Sequence, residues 1–219
     1  MQPDDEVLRL CGQGMQAEAD GRDADASLLF RQAWDAATDD YQACVAAHYL
    51  ARHQATPEAT LDWNRRCLDL ADRVGDDRVR GFYPSLHLAM ARAHQALGGP
   101  REAHSQFQRA AERIDDAAAG PYRDGIRFTV AAGLRGTAAA EGADHDVLAE
   151  IAAGMCARAD LQALGILLPA YLGDLGTAAD RIRLLTALQM LASSRSLPEP
   201  EQALLHQAIS RLTADSMSA

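Results

Sequence analysis

The residues best suited to chemistry are concentrated in "HYLARHQATPEATLDWNRR", His48 to Arg66. Two histidines, a tyrosine, a tryptophan, an asparagine and three arginines fall in that stretch, whereas the rest of the chain is largely Ala, Leu, Asp, Glu and Arg. Histidine changes charge near neutral pH and can act as a general base. Arginine presents a planar fork of donors that suits carboxylates. Cys44 and His48 are four apart on a helical pattern and Cys67 can face them. Thiolate and imidazole are zinc ligands, but a fourth ligand is not evident, so these cysteines are expected to be buried thiols and no metal is expected. His48, His53, His87, His94 and His104 are not accompanied by a GxSxG, HExxH, Walker or dinucleotide fingerprint. No nucleophile–base–orienter set can be named, so neither a catalytic residue nor a cofactor is expected. "RGFYPSLH" (80–87) places Phe82, Tyr83, Ser85 and His87 beside an expected break at Gly81 and Pro84.

Composition removes several functional classes. The formal charge is −10 and the pI about 5.1. Such a chain repels phosphate backbones, and it has no run of four basic residues, so nucleic acid is not an expected partner. Anionic membranes are disfavoured for the same reason. All 21 basic residues are arginine, a bias that fits a GC-rich bacterial genome and removes any role for a lysine Schiff base. Apolar residues make up 48 % and aromatics 5 %; an alanine-rich chain with few β-branched residues favours helix. Cys11, Cys44, Cys67 and Cys156 contain no CxxC pair and read as reduced thiols. "MQPDDEVLRL" lacks the apolar segment of a signal peptide, and "LGILLPAYLG" is about half the length of a membrane span. A cytoplasmic location is expected.

These side chains must be positioned by helices, because helical periodicity recurs along the whole chain and no alternating strand pattern is present. Helices are predicted at 4–20, 23–38, 41–54, 57–74, 78–97, 100–116, 121–140, 144–158, 160–172, 177–194 and 199–214. Breakers separate them: Asp20-Gly21, Thr56-Pro57, Gly98-Gly99-Pro100, Gly120-Pro121, Gly142, Gly173 and Pro198. Thr56 suits an N-cap, with Pro57 at the first helical position. Pro84 falls inside the predicted helix at 78–97, so either a helix restarts there or a long helix kinks. The last five residues, DSMSA, are expected to fray.

An internal repeat organises the first half. "GMQAEADGRDADASLLFRQA" (14–33) aligns with "ARAHQALGGPREAHSQFQRA" (91–110). Each begins with a small residue (Gly14, Ala91), followed by a glycine (Gly21, Gly98), an alanine (Ala26, Ala103), a phenylalanine (Phe30, Phe107) and an alanine (Ala33, Ala110). The pattern resembles the tetratricopeptide repeat (TPR). "HYLARHQATPEATLDWNRRC" aligns as a degenerate middle copy. Without gaps, His48 takes the small position, Thr60 the alanine, Asn64 the aromatic and Cys67 the last small position; a one-residue slip gives Ala47, Ala59, Trp63 and Arg66 instead. The resemblance implies an all-α fold of antiparallel helical hairpins in a right-handed solenoid. It covers residues 1–117 as repeats at about 7–40, 41–74 and 84–117, with 118–219 as a helical bundle or cap.

In TPR proteins the first helix of each repeat lines the concave face. The resemblance places Gln42, Tyr49, Arg52 and His53 there in the second repeat, and Ser85, Arg92 and Gln95 in the third. Arg52, His53 and Arg92 would attract carboxylates, while Tyr49, Ser85 and Gln95 would orient them. TPR clamps for chaperone C-termini use lysine and asparagine at fixed first-helix positions, where this chain has Cys11 and Met15, so that partner is not expected. The expected function is a non-enzymatic adaptor or regulatory scaffold that binds a protein or peptide bearing carboxylates. Two alternatives stand beside it. One is a small-molecule-binding protein or accessory biosynthetic enzyme, with a pocket formed by the 48–66 hairpin, the 82–87 junction and the C-terminal helices. The other is a homodimerisation module working through the apolar C-terminal helices.

Overall fold

A computed structural model describes residues 6–138 and 147–217, which are helical and contain no strand. In chain order the helices are α1 (Glu6–Ala19), α2 (Asp23–Ala36), α3 (Asp40–Leu50), α4 (Pro57–Val74), α5 (Asp77–Arg80) and α6 (Tyr83–Ala96). There follow α7 (Pro100–Glu112), α8 (Pro121–Ala138), α9 (Val147–Ala157), α10 (Leu161–Leu172), α11 (Ala178–Ser194) and α12 (Glu199–Met217). None of the described helices is long and apolar enough to cross a membrane. The predicted break at Gly142, the ends of the predicted helices at residues 4–5, 139–140 and 144–146, and the last two residues of the predicted frayed tail lie outside the described residues.

Local chemistry sets the helix starts. Asp39 caps α3 by accepting the Gln42 N–H at 2.8 Å. Thr56 caps α4 by accepting the Ala59 N–H at 3.2 Å, and Pro57 sits in the first turn, where no N–H is needed. α4 stops at Gly75, whose φ of 64° is a left-handed cap that glycine adopts without strain. Several predicted boundaries differ, among them that of the helix predicted at 100–116, which stops at Glu112 and is followed by a 3₁₀ turn over Ile114–Asp116. The helix predicted at 78–97 is two, α5 and α6, parted by Gly81-Phe82. Pro84 stands in the first turn of α6, where its missing N–H is not needed. The helix predicted at 41–54 ends at Leu50 and tightens into a 3₁₀ turn over Ala51–His53. α12 runs on through Met217, beyond the predicted end at 214.

The chain divides into two units, Met1–Ile126 and Arg127–Ala219, with the boundary inside α8. In the first unit α1 packs on α2, α3 on α4 and α6 on α7. Successive pairs are joined by α2 on α3, α1 on α3 and α4 on α6. Its core is built on small residues: Ala17, Ala26, Ala33, Ala46, Ala47 and Ala71 are fully buried around the larger Phe30, Leu50 and Leu86. Gly14 shows why. A Cβ on Gly14 would stand 2.3 Å from the Phe30 ring, so only a glycine lets α1 approach α2 this closely. Ala91 of α6 and Phe107 of α7 are likewise buried.

In the second unit α9 packs on α10, α10 on α11, α11 on α12 and α12 back on α9. Ile151, Met155, Leu167, Leu184, Leu188 and Leu205 fill the centre. At one end the buried Asp180 organises a turn. Its Oδ2 accepts the Thr177 hydroxyl at 2.7 Å and the Leu175 N–H at 3.2 Å, and Thr177 Oγ1 accepts the Asp180 N–H in return. Arg127 and Arg183 pair with Oδ1. Burial alone would raise the carboxyl pKa; the Thr177 and Leu175 hydrogen bonds and the two guanidiniums outweigh it and hold it below the ordinary value.

The two glycines of α1 should respond oppositely to alanine. Gly12 has open space where a Cβ would go, so Gly12→Ala gains helix propensity alone and raises stability by about 0.5–1 kcal/mol. Gly14→Ala makes the same local gain but must displace the Phe30 ring, and should lower stability by about 1 kcal/mol or more. Denaturant unfolding of the two variants checks this; equal effects would show that the α1–α2 approach is not constrained at Gly14.

Candidate functional site

The residues that sequence reasoning singled out converge most closely where α3 ends. There the 3₁₀ turn replaces the last α-helical turn and carries Arg52 and His53. Both reach back to α1. Arg52 Nη2 donates to Glu18 Oε2 at 2.6 Å, and His53 Nε2 lies 2.8 Å from Glu18 Oε1. A carboxylate only accepts, so this His53 nitrogen carries the proton. The Arg52 guanidinium also lies over the Tyr49 ring, 4.9 Å from its centroid. Tyr49 stacks on Phe30 of α2 at 5.2 Å and 11°, and Phe30 touches His53 at 5.2 Å. One carboxylate, two cationic or hydrogen-bonding groups and two rings therefore form one connected set from three helices.

Tyr49 is half-buried, and its hydroxyl makes no hydrogen bond among the described residues. Burial raises its phenol pKa; Arg52 opposes this, while Cys11, Tyr122 and Glu18 add to it. The hydroxyl is thus close to groups from α1, the 3₁₀ turn and the start of α8. Tyr122 there is 61 % exposed.

His48 lies one residue before Tyr49 and continues the aromatic series. Its ring meets Tyr49 edge-on at 5.3 Å and stacks on Phe82 at 4.6 Å and 15°. The 48–66 hairpin and the 82–87 junction, separate in sequence, meet through this stack. His48 Nδ1 is shut off from solvent and has no hydrogen-bond partner among the described residues. Burial, reinforced by the nearby Arg52 charge, pushes its pKa down to about 4, so the ring is neutral at physiological pH.

Ser85, Arg92 and Gln95 all lie on α6. Ser85 Oγ donates to the Phe82 carbonyl at 2.8 Å and so serves the turn before the helix. Arg92 and Gln95 are exposed, and their side chains have no hydrogen bond or ion pair among the described residues. Contacts connect Tyr49, Arg52 and His53 to one another through Phe30 and Glu18, whereas Ser85, Arg92 and Gln95 share a helix without such a connection. The Glu18 carboxylate already meets two of the three groups expected to attract carboxylates, Arg52 and His53. No sequence spacing announces Glu18, which is 34 residues from Arg52. Phe30 was legible only as a packing residue.

The remaining chemical residues have other surroundings. His87 Nδ1 lies 2.8 Å from Gln106 Oε1, and burial lowers its pKa. Tyr83 donates to Asp72 at 2.7 Å and lies under Arg113; burial and that hydrogen bond push its pKa up to about 12. Trp63 packs edge-on against Trp34, with Arg31 and Arg66 each about 5 Å from its ring. Cys44 and Cys67 touch, but among the described residues no group of three or more His, Cys, Asp or Glu could hold a metal ion. α4 buries Asn64 and Cys67 and leaves Arg66 exposed.

Comparison of the chain with protein-family models, with curated proteins and with solved structures gives no match.

The buried His48 ring should make stability depend on acid pH. Its native pKa of about 4 lies below the ordinary 6.5. The unfolded chain therefore takes up the proton first, and stability present above pH 6.5 is lost progressively as pH falls to about 4. His48→Gln should remove that part of the pH dependence, seen as a flatter stability curve between pH 6.5 and 4 than in the wild type. Parallel curves would mean that His48 is not held neutral by the fold.

Proposed function

We propose that the protein is a non-enzymatic, TPR-like adaptor or scaffold, a right-handed solenoid of helical hairpins that binds a carboxylate-bearing protein or peptide on its first-helix face. The order of packing supports this reading: the two helices of each hairpin are short-linked and pack together, and each next first helix packs against the hairpin before it. The Gly14–Phe30 approach supports it further, since a glycine on one helix admits a phenylalanine from the next, and the matching Ala91 and Phe107 are both buried. The observation that carries the ligand chemistry is the Glu18 carboxylate held by Arg52 and His53 beside the Tyr49 hydroxyl, which makes no hydrogen bond among the described residues. That arrangement already has the donor geometry a carboxylate ligand needs. Arg92, exposed and without an ion pair among the described residues, offers a second cation on α6.

One observation favours a second reading, a small-molecule site. His48 and Phe82 stack and thereby bring the 48–66 hairpin to the 82–87 junction, with a buried imidazole nitrogen left unpartnered.

The adaptor reading predicts that Arg52→Ala combined with Arg92→Ala abolishes capture of the partner in a pull-down from native lysate, with circular dichroism showing the fold intact. Proteins captured equally by wild type and double variant would rule out the groove as the binding surface.

A further inference from the structure

Two cysteines from different helices meet inside the α3–α4 hairpin. Cys44 and Cys67 have no exposed surface, and their Sγ atoms are 3.7 Å apart. Cys67 Sγ donates to the Cys44 carbonyl at 3.3 Å, and Cys44 Sγ lies 3.7 Å from the Cys67 carbonyl. Ala47, Ala71 and Leu86 close around the pair. A disulfide needs an S–S distance near 2.05 Å, so the sulfurs must approach by roughly 1.7 Å, within reach of side-chain rotation. The other two cysteines stand apart in chemistry: Cys11 is buried in a separate cluster and Cys156 is exposed.

We propose that Cys44 and Cys67 are a redox modification site, joined by a hydroperoxide-class oxidant into an intramolecular disulfide that staples α3 to α4. The oxidant's O–O bond breaks as one sulfur takes up oxygen, giving a sulfenic acid and water (or an alcohol). The second sulfur then attacks the first and loses its proton; the S–O bond breaks and a second water leaves. Two thiols are oxidised by two electrons, and one hydroperoxide is reduced. At rest the pair is inert, because the hydrogen bond with Cys44, together with burial, pushes the Cys67 thiol pKa well above its ordinary value. Reaction requires transient opening of the hairpin, so the staple responds to sustained oxidant and not to brief exposure. The closed loop would span the 3₁₀ turn, Thr56-Pro57 and Trp63, and would fix the two helices that carry His48, Tyr49 and Trp63.

The test uses the full chain with Cys156→Ser, which removes the exposed thiol. The protein is treated with hydrogen peroxide, unfolded, alkylated with iodoacetamide and digested with trypsin without reductant. Cleavage after Arg52, Arg66 and Arg73 leaves Cys44 and Cys67 on separate peptides. The expected result is a joined pair of peptides, an intact protein lighter by two hydrogens, and a thermal midpoint higher by roughly 5 °C or more, all reversed by dithiothreitol. Recovery of both cysteines as alkylated or over-oxidised single peptides would overturn the site. A joined pair that melts no higher than the reduced protein would overturn the staple.

Discussion

The Phe30 ring occupies the space where any side chain on Gly14 would begin. That exclusion sets the spacing of α1 and α2, and the same economy recurs through the first unit. With aromatics at only 5 % of the chain, there are few large side chains to fill wide gaps between helices. The helices must instead approach closely, and the buried alanines of α1 to α4 allow it. Close approach then leaves little tolerance. A core of this kind is specified less by what its large residues attract than by where small residues permit contact.

The middle hairpin breaks that pattern in an informative way. In the ungapped alignment His48 stands where Gly14 does, and Asn64 stands where Phe30 does. The sizes are inverted: the large ring is on the first helix and the small amide on the second. Asn64 is buried and satisfies its amide on the Thr60 carbonyl at 2.7 Å. The His48 ring is turned toward Tyr49 and Phe82, and one nitrogen is left without a partner. An unpaired buried polar atom is costly, and a hydrophobic ring would avoid that cost. Stacking on Phe82 recovers part of it, and that contact brings the strongest chemical stretch of the sequence against the second.

Legibility in the sequence followed the range of the interactions. Thr56-Pro57 marks a helix start through contacts within four residues, and the predicted boundaries at 57 and 74 match α4. Pro84 signalled a break because its effect on the preceding turn is local, although the residues alone could not distinguish a restart from a kink. Gly14 and Phe30 were visible as a repeated spacing. The 3₁₀ turn at Ala51–His53 was not, because nothing in "ARH" forbids another α-helical turn. Glu18, which completes the candidate site, was invisible for a different reason. Its partners lie 34 and 35 residues away, and their pairing depends on how α1 and α3 sit, not on any local pattern. Asp180 was hidden likewise, since Arg127 reaches it across 53 residues.

The weakness of the Glu18 contact bears on what the site can do. Arg52 is 44 % exposed and Glu18 26 %, so water screens their attraction. Exposed ion pairs of this kind contribute about 0–1 kcal/mol. Glu18 therefore cannot be what holds α1 against α3; Leu10, Phe30, Val45 and Leu50 do that from the core. Its effect is on orientation. It holds the Arg52 fork and the His53 N–H pointing at one carboxylate position, with the Tyr49 ring fixing the guanidinium plane. In the proposed reading, an incoming carboxylate gains donors that are already aligned and displaces a partner that was only loosely bound. A stronger internal pair would have closed the site, and no internal pair would have left the arginine free to wander.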